Sequence, residues 1–354
     1  MNIKSIKAYS KNLAVKRPYT IARNTVSDAE IVFFEVELMN GMVGIGSANT
    51  DVEVVNETAS QTLDNLQSDL VAELVGKDIR LFLSLIARYR RDFFAFPGTL
   101  AALDIALHDA FGKYLGVSIL DFYGRYHQKM VTSVTIGIKG VAETLEEAKE
   151  YYDSGFRALK VKTGLNVLED AERIIMLREK YGDYFHIRVD ANTGYNPAQL
   201  QKFIDLTVEQ GVELIEQPFL PGKENDLLDF PAEVRNRLAA DESLKNAHSA
   251  LTLLQHRPYG IYNIKLMKCG GLVGAFEIAN IARPADIDLF WGCNDESMIS
   301  ITAALHAAFS CPNTRYIDLD GSLDLAEDVV IDGFTLQDGF MFPNDKPGLG
   351  LTLL

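Results

Sequence analysis

The sequence predicts an α/β protein in two parts: a small α+β domain followed by a (β/α) barrel. Up to about residue 125, strands come first and helices follow them. From about residue 130, eight short apolar strand cores alternate with helix-compatible segments over about 190 residues. The first order of elements reads as α+β, and the second as successive parallel β/α units. An open doubly wound sheet gives similar local signals and stays open on pattern alone. Eight strands in so short a span describe the barrel better.

The first part opens with a strand at Ile3–Ser10. Ile31–Leu38 alternates as a strand, Asn40-Gly41 is a hairpin turn signal, and Met42–Gly46 returns. These segments form a small antiparallel sheet. Leu100–Ala110 then repeats apolar residues at i, i+3, i+4 and i+7, which predicts a helix. In the second part the strand cores are Val131–Ile136, Ala158–Val161, Ile187–Val189, Leu214–Ile215, Leu238–Ala240, Ile261–Ile264, Ile287–Trp291 and Tyr316–Leu319. Helical segments such as Val167–Tyr181 lie between them through the seventh strand. A tail with Pro343, Pro347, Gly348 and Gly350 reads as a surface segment returning over another domain. The expected divisions are 1–125, 126–325 and 326–354.

The charge balance narrows the function. Among 354 residues, 34 Lys and Arg stand against 49 Asp and Glu, a net charge of −15. Such a chain repels phosphate backbones and anionic membranes, so no nucleic acid and no membrane is the expectation. No apolar run is long enough to span a bilayer, and no signal core precedes Lys7 and Lys11. Three widely spaced cysteines, Cys269, Cys293 and Cys311, argue against a disulfide framework and a zinc ribbon. A cytoplasmic protein with reduced thiols is expected.

The chemistry is written at the strand ends. Consecutive barrel strands end in Lys160-Val161-Lys162, Asp190-Ala191-Asn192, Glu216-Gln217-Pro218, Asp241-Glu242-Ser243 and Asn263-Ile264-Lys265. From Lys162 to Asp190, Glu216, Asp241 and Lys265 the steps are 28, 26, 25 and 24 residues, each one β/α unit. All five therefore gather at the C-terminal end of the barrel, where active sites sit in this architecture. Asp190, Glu216 and Asp241 would repel one another unless a cation neutralises them. Hard oxygen donors without His or Cys suit Mg²⁺, with Mn²⁺ as a substitute. Lys160 and Lys162 are two apart on a strand and share a face. Burial and a nearby cation are expected to lower their pKa toward that of a useful base. Lys265 lies four strands on, so it comes from the opposite wall. Two lysines facing each other across a metal-held substrate can remove a proton from one side of its α-carbon and return it on the other. The dianionic, enediolate-like species formed in between is what a divalent cation stabilises. The three histidines His108, His127 and His306 read as structural.

These residues resemble the enolase superfamily, and within it the muconate-lactonising-enzyme subgroup. The likeness spans nearly the whole chain. It rests on Lys160-Val161-Lys162, Asp-Ala-Asn at 190–192, Glu-Gln-Pro at 216–218, Ala-Asp-Glu-Ser at 240–243 and Asn-Ile-Lys-Leu-Met-Lys-Cys-Gly-Gly at 263–271. The resemblance implies a modified TIM barrel, (β/α)₇β, with an N-terminal α+β capping domain completed by the C-terminal tail. It implies one Mg²⁺ per subunit on Asp190, Glu216 and Asp241. Lys162 and Lys265 would be the opposed acid/base catalysts, with Lys160 assisting electrostatically. A homo-oligomer is expected from the family.

The last strand chooses among the subgroup's reactions. Asp318 and Asp320 share a face there and resemble the Asp-x-Asp of dipeptide epimerases, which holds the α-ammonium of the substrate. Such a pair repels the anionic end of an N-succinyl substrate or a muconate. The implied reaction is Mg²⁺-dependent epimerisation of a dipeptide at its C-terminal residue, as in L-Ala-D/L-Glu epimerases. Glu296 after the seventh strand, Asn192, and Arg23 in the capping loop are further substrate-binding candidates. N-acylamino-acid racemase or cycloisomerase chemistry is the alternative within the subgroup. A non-catalytic, metal-dependent peptide-binding protein is the alternative outside it.

Overall fold

The computed structural model describes residues 1–20, 25–50 and 52–354. Ile3–Thr20 pairs antiparallel with Thr25–Leu38, which pairs with Val43–Asn49 across the Asn40-Gly41 turn. The first strand runs well past Ser10. Leu13 and Val15 are buried while Ala14 and Lys16 are exposed, a two-residue period that the surrounding lysines disguise. The helix Pro97–Leu115 lies against this sheet. A Cβ on Gly44 or Gly46 would collide with the carbonyls of Ala106 and Ala102, so glycine on the strand and alanine on the helix let the two backbones close up. The helix is buried along most of its length because the barrel segment Leu266–Cys269 packs on it as well.

The barrel strands are Ser133–Ile136, Ala158–Lys162, His186–Asp190, Val212–Glu216, Leu238–Ala240, Ile261–Ile264, Asp288–Trp291 and Thr314–Ile317. Each pairs parallel with the next. The ring closes through a parallel bridge between Thr132 and Ile317 and a bond from Leu319 N to Thr132 Oγ1 at 2.9 Å. Helices follow the first seven strands, the fourth only by the short Ala232–Arg235, and none follows the eighth. This is the (β/α)₇β arrangement. Leu214, Ala239, Ile261, Phe290 and Tyr316 fill the barrel interior. Arg188 crosses it to Ile317 O at 2.6 Å and Ser133 Oγ at 3.1 Å.

The eighth strand, Thr314–Ile317, begins and ends two residues earlier than the apolar run Tyr316–Leu319 predicts. Asp318 N still bonds to Trp291 O at 2.8 Å, but Leu319 N goes to the Thr132 hydroxyl and the ladder stops. Asp318 and Asp320 therefore follow the strand instead of lying on it.

The tail forms two small antiparallel pairs, Val330–Asp332 with Leu351–Leu353 and Phe334–Gln337 with Phe340–Pro343. The second pair adds to Met130–Val131. The chain also touches the capping sheet and its long helix: Lys16 N bonds to Asp324 O at 2.7 Å, Gly348 N to Val117 O at 2.9 Å and Leu349 N to Asp109 Oδ1 at 2.8 Å. Among the described residues no helix is long and apolar enough to cross a membrane. Cys269, Cys293 and Cys311 are free thiols.

Candidate active site

Asp190 and Glu216 end consecutive strands, Asp241 directly follows the next, Lys160 sits mid-way along the strand before them, and all four are buried. Each carboxylate has one oxygen tied back by a neighbour. Asp190 Oδ1 accepts from Asn192 N at 2.9 Å, Glu216 Oε1 from Asn263 Nδ2 at 2.6 Å, and Asp241 Oδ1 from Lys268 Nζ. The other oxygen of each faces a lysine ammonium, which for Asp190 and Glu216 is the same one. Lys160 Nζ lies 3.2 Å from Asp190 Oδ2, 2.9 Å from Glu216 Oε2 and 3.0 Å from Asp318 Oδ2. Lys265 Nζ lies 3.0 Å from Asp241 Oδ2. Lys162 Nζ donates to Asp190 Oδ2 at 2.7 Å and to Asn192 Oδ1 at 3.0 Å.

The electrostatics follow from this packing. Burial pushes the Asp190 carboxyl up, but the Lys162 and Lys160 ammoniums reverse it to about 2. Asp241 is likewise raised by burial and then held well below the usual carboxylate range by Lys265 and Lys268. Glu216 goes the other way, pushed up to about 8 by burial and by the charge of Asp190. The lowering expected for Lys160 is not what this arrangement gives. Burial depresses Lys160 and Lys265, yet the surrounding carboxylates outweigh it and hold both above the ordinary lysine value. The reason is stoichiometric: here the lysines themselves supply the positive charge that balances the carboxylates.

Among the described residues no three carboxylate, imidazole or thiol side chains converge as a ready-made metal cage, because ammoniums stand between the carboxylates. The donor set nevertheless fits a hard divalent cation. Three oxygens, one from each of Asp190, Glu216 and Asp241, face lysine ammoniums while their partners are anchored. Glu216 Oε2 is buried and makes no hydrogen bond, only its charge contact with Lys160. A buried carboxylate oxygen so placed calls for a cation.

Asp318 Oδ1 accepts from Ser133 Oγ at 2.6 Å, and Asp320 Oδ2 accepts from Thr135 N at 2.9 Å. Both therefore turn toward the first barrel strand. Burial, and then the charge of Asp318, push Asp320 well above its ordinary value. A buried pair of carboxylates with that tension suits a cationic ligand. Asn192 adopts a left-handed backbone with φ 42° while its side chain holds Lys162. Glu296 is buried, bonds to Asn294 N at 3.0 Å, and is pushed up to about 7 by burial. The field of Lys265 reaches it. Arg23 lies outside the described residues.

Two residues went unnoticed in the sequence. Lys268 binds Asp241 Oδ1, Asp241 O and Asn263 O. Its position one helical turn after Lys265 was the available signal. Gln217 adopts φ 34°, and its Oε1 accepts from Asp241 N at 2.9 Å, fixing the backbone of that carboxylate. A glutamine between Glu216 and Pro218 carries no sequence signal for such a role.

Residues 4–124 match the family "Mandelate racemase / muconate lactonizing enzyme, N-terminal domain", and residues 143–354 match "Enolase C-terminal domain-like". The chain belongs to the mandelate racemase/muconate lactonizing enzyme family of the enolase superfamily. An L-Lys-D/L-Arg epimerase of Desulforapulum autotrophicum is 49% identical over 352 residues, 99% of each chain. The dipeptide epimerase of Methylococcus capsulatus, solved with Mg and the dipeptide L-Arg-D-Lys, superposes with a TM-score of 0.97 at 44% identity, covering 99% of this chain and 100% of that one. An N-succinyl-L-Arg/Lys racemase of Bacillus cereus is 30% identical over 359 residues, 100% of this chain and 96% of its own.

Proposed function

We propose that this chain is a Mg²⁺-dependent dipeptide epimerase that inverts the α-carbon of the C-terminal residue by two-base 1,1-proton transfer. The observation that carries it is the placement of Lys162 and Lys265. Lys162 ends the second strand of an eight-strand ring and Lys265 directly follows the sixth, and each is paired to a different carboxylate of one cluster. Asp190, Glu216 and Asp241 would hold the ion, which when bound neutralises their charge and polarises the substrate carboxylate. Lys162 and Lys265, relieved of their counter-ions, take and return the α-proton from opposite faces. Lys160, buried and flanked by Glu216 and Asp318, balances the negative charge that develops between them. Asp318 and Asp320 receive the free ammonium of the N-terminal residue. Asn192, Glu296 and Arg23 complete the substrate's surroundings. In this reading residues 1–125 and the segment 326–354 form the cap over a barrel of 126–325, and the enzyme is a cytoplasmic homo-oligomer.

The favoured substrates carry cationic side chains. The names of the relatives from Desulforapulum and Methylococcus support this, as does a mouth holding Glu242 and Glu296 besides the aspartate pair. A second reading, racemisation of an N-succinyl amino acid, is favoured by the Bacillus cereus relative. Deuterium uptake at the α-carbon, followed by mass spectrometry in D₂O, separates them. With Mg²⁺, free-amine Lys- and Arg-containing dipeptides should take up one deuteron, and EDTA should stop it. Uptake confined to N-succinyl-arginine or N-succinyl-lysine would refute the dipeptide reading.

A further inference from the structure

We propose that a buried clamp of Asp170, Arg173 and Tyr195 is the positioning device for Lys162. The inference rests on the role given to Lys162 above. Asp170 and Arg173 lie three apart in the helix Val167–Tyr181, so they share a face, and both are buried. Arg173 Nη2 donates to Asp170 Oδ1 at 2.6 Å and to the backbone carbonyl of Lys162 at 2.9 Å. Asp170 Oδ2 accepts from Gly164 N at 2.9 Å and from the Tyr195 hydroxyl at 2.8 Å. One ion pair thus grips the chain on both sides of Thr163, immediately after the lysine. Through Tyr195 it also grips the loop after the third strand, which carries Asn192. Arg173 Nη1 reaches Gly137 O, beyond the first strand, at 3.5 Å.

The two loops meet backbone to backbone. Gly164 has φ 109°, and a Cβ there would strike Ala191 O. A Cβ on Gly194 would strike Gly164 O. Side chains are excluded so that the segment after Lys162 and the segment after Asp190 can touch. Thr163 N bonds to Asp190 O at 2.8 Å across the same contact. The clamp therefore braces the end of the ladder in which Lys162 pairs with Asp190, where the two loops carrying Thr163 and Asn192 leave their strands.

Lys265 is held differently. Its carbonyl accepts from Lys268 N at 3.0 Å and Cys269 N at 3.3 Å, the bonds of its own helical turn. One lysine is aimed by a remote buried ion pair, and the other by local helix geometry. Loosening the clamp should disturb one base and spare its opposite.

The test uses Tyr195→Phe, Asp170→Asn and Arg173→Lys, with Lys162→Ala and Lys265→Ala as references. The probes are L-Lys-L-Arg and L-Lys-D-Arg with Mg²⁺ in D₂O. Deuterium uptake with retention of configuration reports a single lysine, since the proton leaves and returns on one face. The clamp variants should slow uptake about 10- to 100-fold in the epimer whose exchange Lys162→Ala abolishes. Uptake in the other epimer should stay within about twofold, because a base that has not moved keeps its rate. Equal losses in both epimers, or no loss in either, would overturn the proposal. Crystal structures of Tyr195→Phe and Asp170→Asn give a reading independent of catalysis. Lys162 Nζ should leave its contacts of 2.7 Å to Asp190 and 3.0 Å to Asn192. Unchanged contacts in both variants would sink the clamp even if no dipeptide exchanged, a result that would by itself count against the reaction assigned and not against the clamp.

Discussion

Three buried carboxylates of the cap, Glu57, Asp104 and Asp109, and three of the barrel mouth, Asp190, Glu216 and Asp241, are satisfied in opposite ways. In the cap, Glu57 accepts from Gly98 N, Thr99 N, Thr99 Oγ1 and Thr62 Oγ1. Asp104 accepts from Leu272 N and Val273 N, and Asp109 from Ile45 N, Leu349 N and Lys113 Nζ. Backbone N–H groups do most of this work. They are fixed, short-range partners that no ion needs to replace. At the mouth, the free oxygens of Asp190, Glu216 and Asp241 face lysines instead. Burial of a carboxylate therefore does not mark a reactive site. The kind of counter-charge it faces does, an ammonium at the mouth and backbone N–H groups in the cap.

The sharpest way to break this contrast is to remove a mouth ammonium. Lys162→Ala and Lys265→Ala should each lower epimerisation by about 10³-fold or more, within the range of lost general acid–base catalysis. Circular dichroism should show the fold intact. Retention of full activity in either variant would remove that lysine from the mechanism. Next in size is the anchoring of a mouth carboxylate. Asn263→Ala frees Glu216 Oε1 and should weaken Mg²⁺ binding by about 10- to 100-fold, the usual effect of losing an outer partner. Calorimetric titration without substrate checks it, and unchanged affinity would count against Glu216 as a ligand.

A cap carboxylate should respond in the reverse manner. Asp104→Asn leaves backbone donors poorly matched and should cost about 1–3 kcal/mol of stability. Its Mg²⁺ affinity should match the wild type, and a weakened affinity would show that the two sets are not separate. The smallest effect concerns His306, buried with neither ring nitrogen hydrogen-bonded. Burial pushes it down to about 3. The unfolded chain then binds a proton that the native one does not. Stability conferred by the neutral imidazole is complete above about pH 6.5 and falls as pH drops toward 3. His306→Gln should remove about 1 kcal/mol of the loss between pH 6.5 and 5.5, read from urea midpoints at both values. Parallel curves for the two proteins would contradict it.

The mouth set was legible in the sequence and the cap set was not, for a physical reason. Strand ends repeat at the length of one β/α unit, so Lys162, Asp190, Glu216, Asp241 and Lys265 announce one another by spacing. Asp104 and Asp109 lie inside a periodic helix and look like any polar residue on its far side. Their partners, Leu272 N and Leu349 N, are backbone groups far along the chain, which no side-chain pattern reveals. The strand cores were legible for the same reason as the mouth. The eighth strand ends two residues before its apolar run does because Leu319 N turns to the Thr132 hydroxyl, a partner no apolar pattern shows. Lys268 was passed over because its role depends on a helical turn beginning at Lys265. The direction for Lys160 differs from the expectation because the sequence does not say that Asp190, Glu216 and Asp318 all face it.

The bond from Leu349 N to Asp109 joins residues 240 positions apart. The long cap helix keeps one carboxylate oxygen waiting for a donor that is synthesised after every barrel strand. On the ribosome, then, the cap cannot reach its native hydrogen bonding until residue 349 has emerged. Closing so long a loop carries a slow, logarithmic entropy cost and places the step among the late, non-local events of folding.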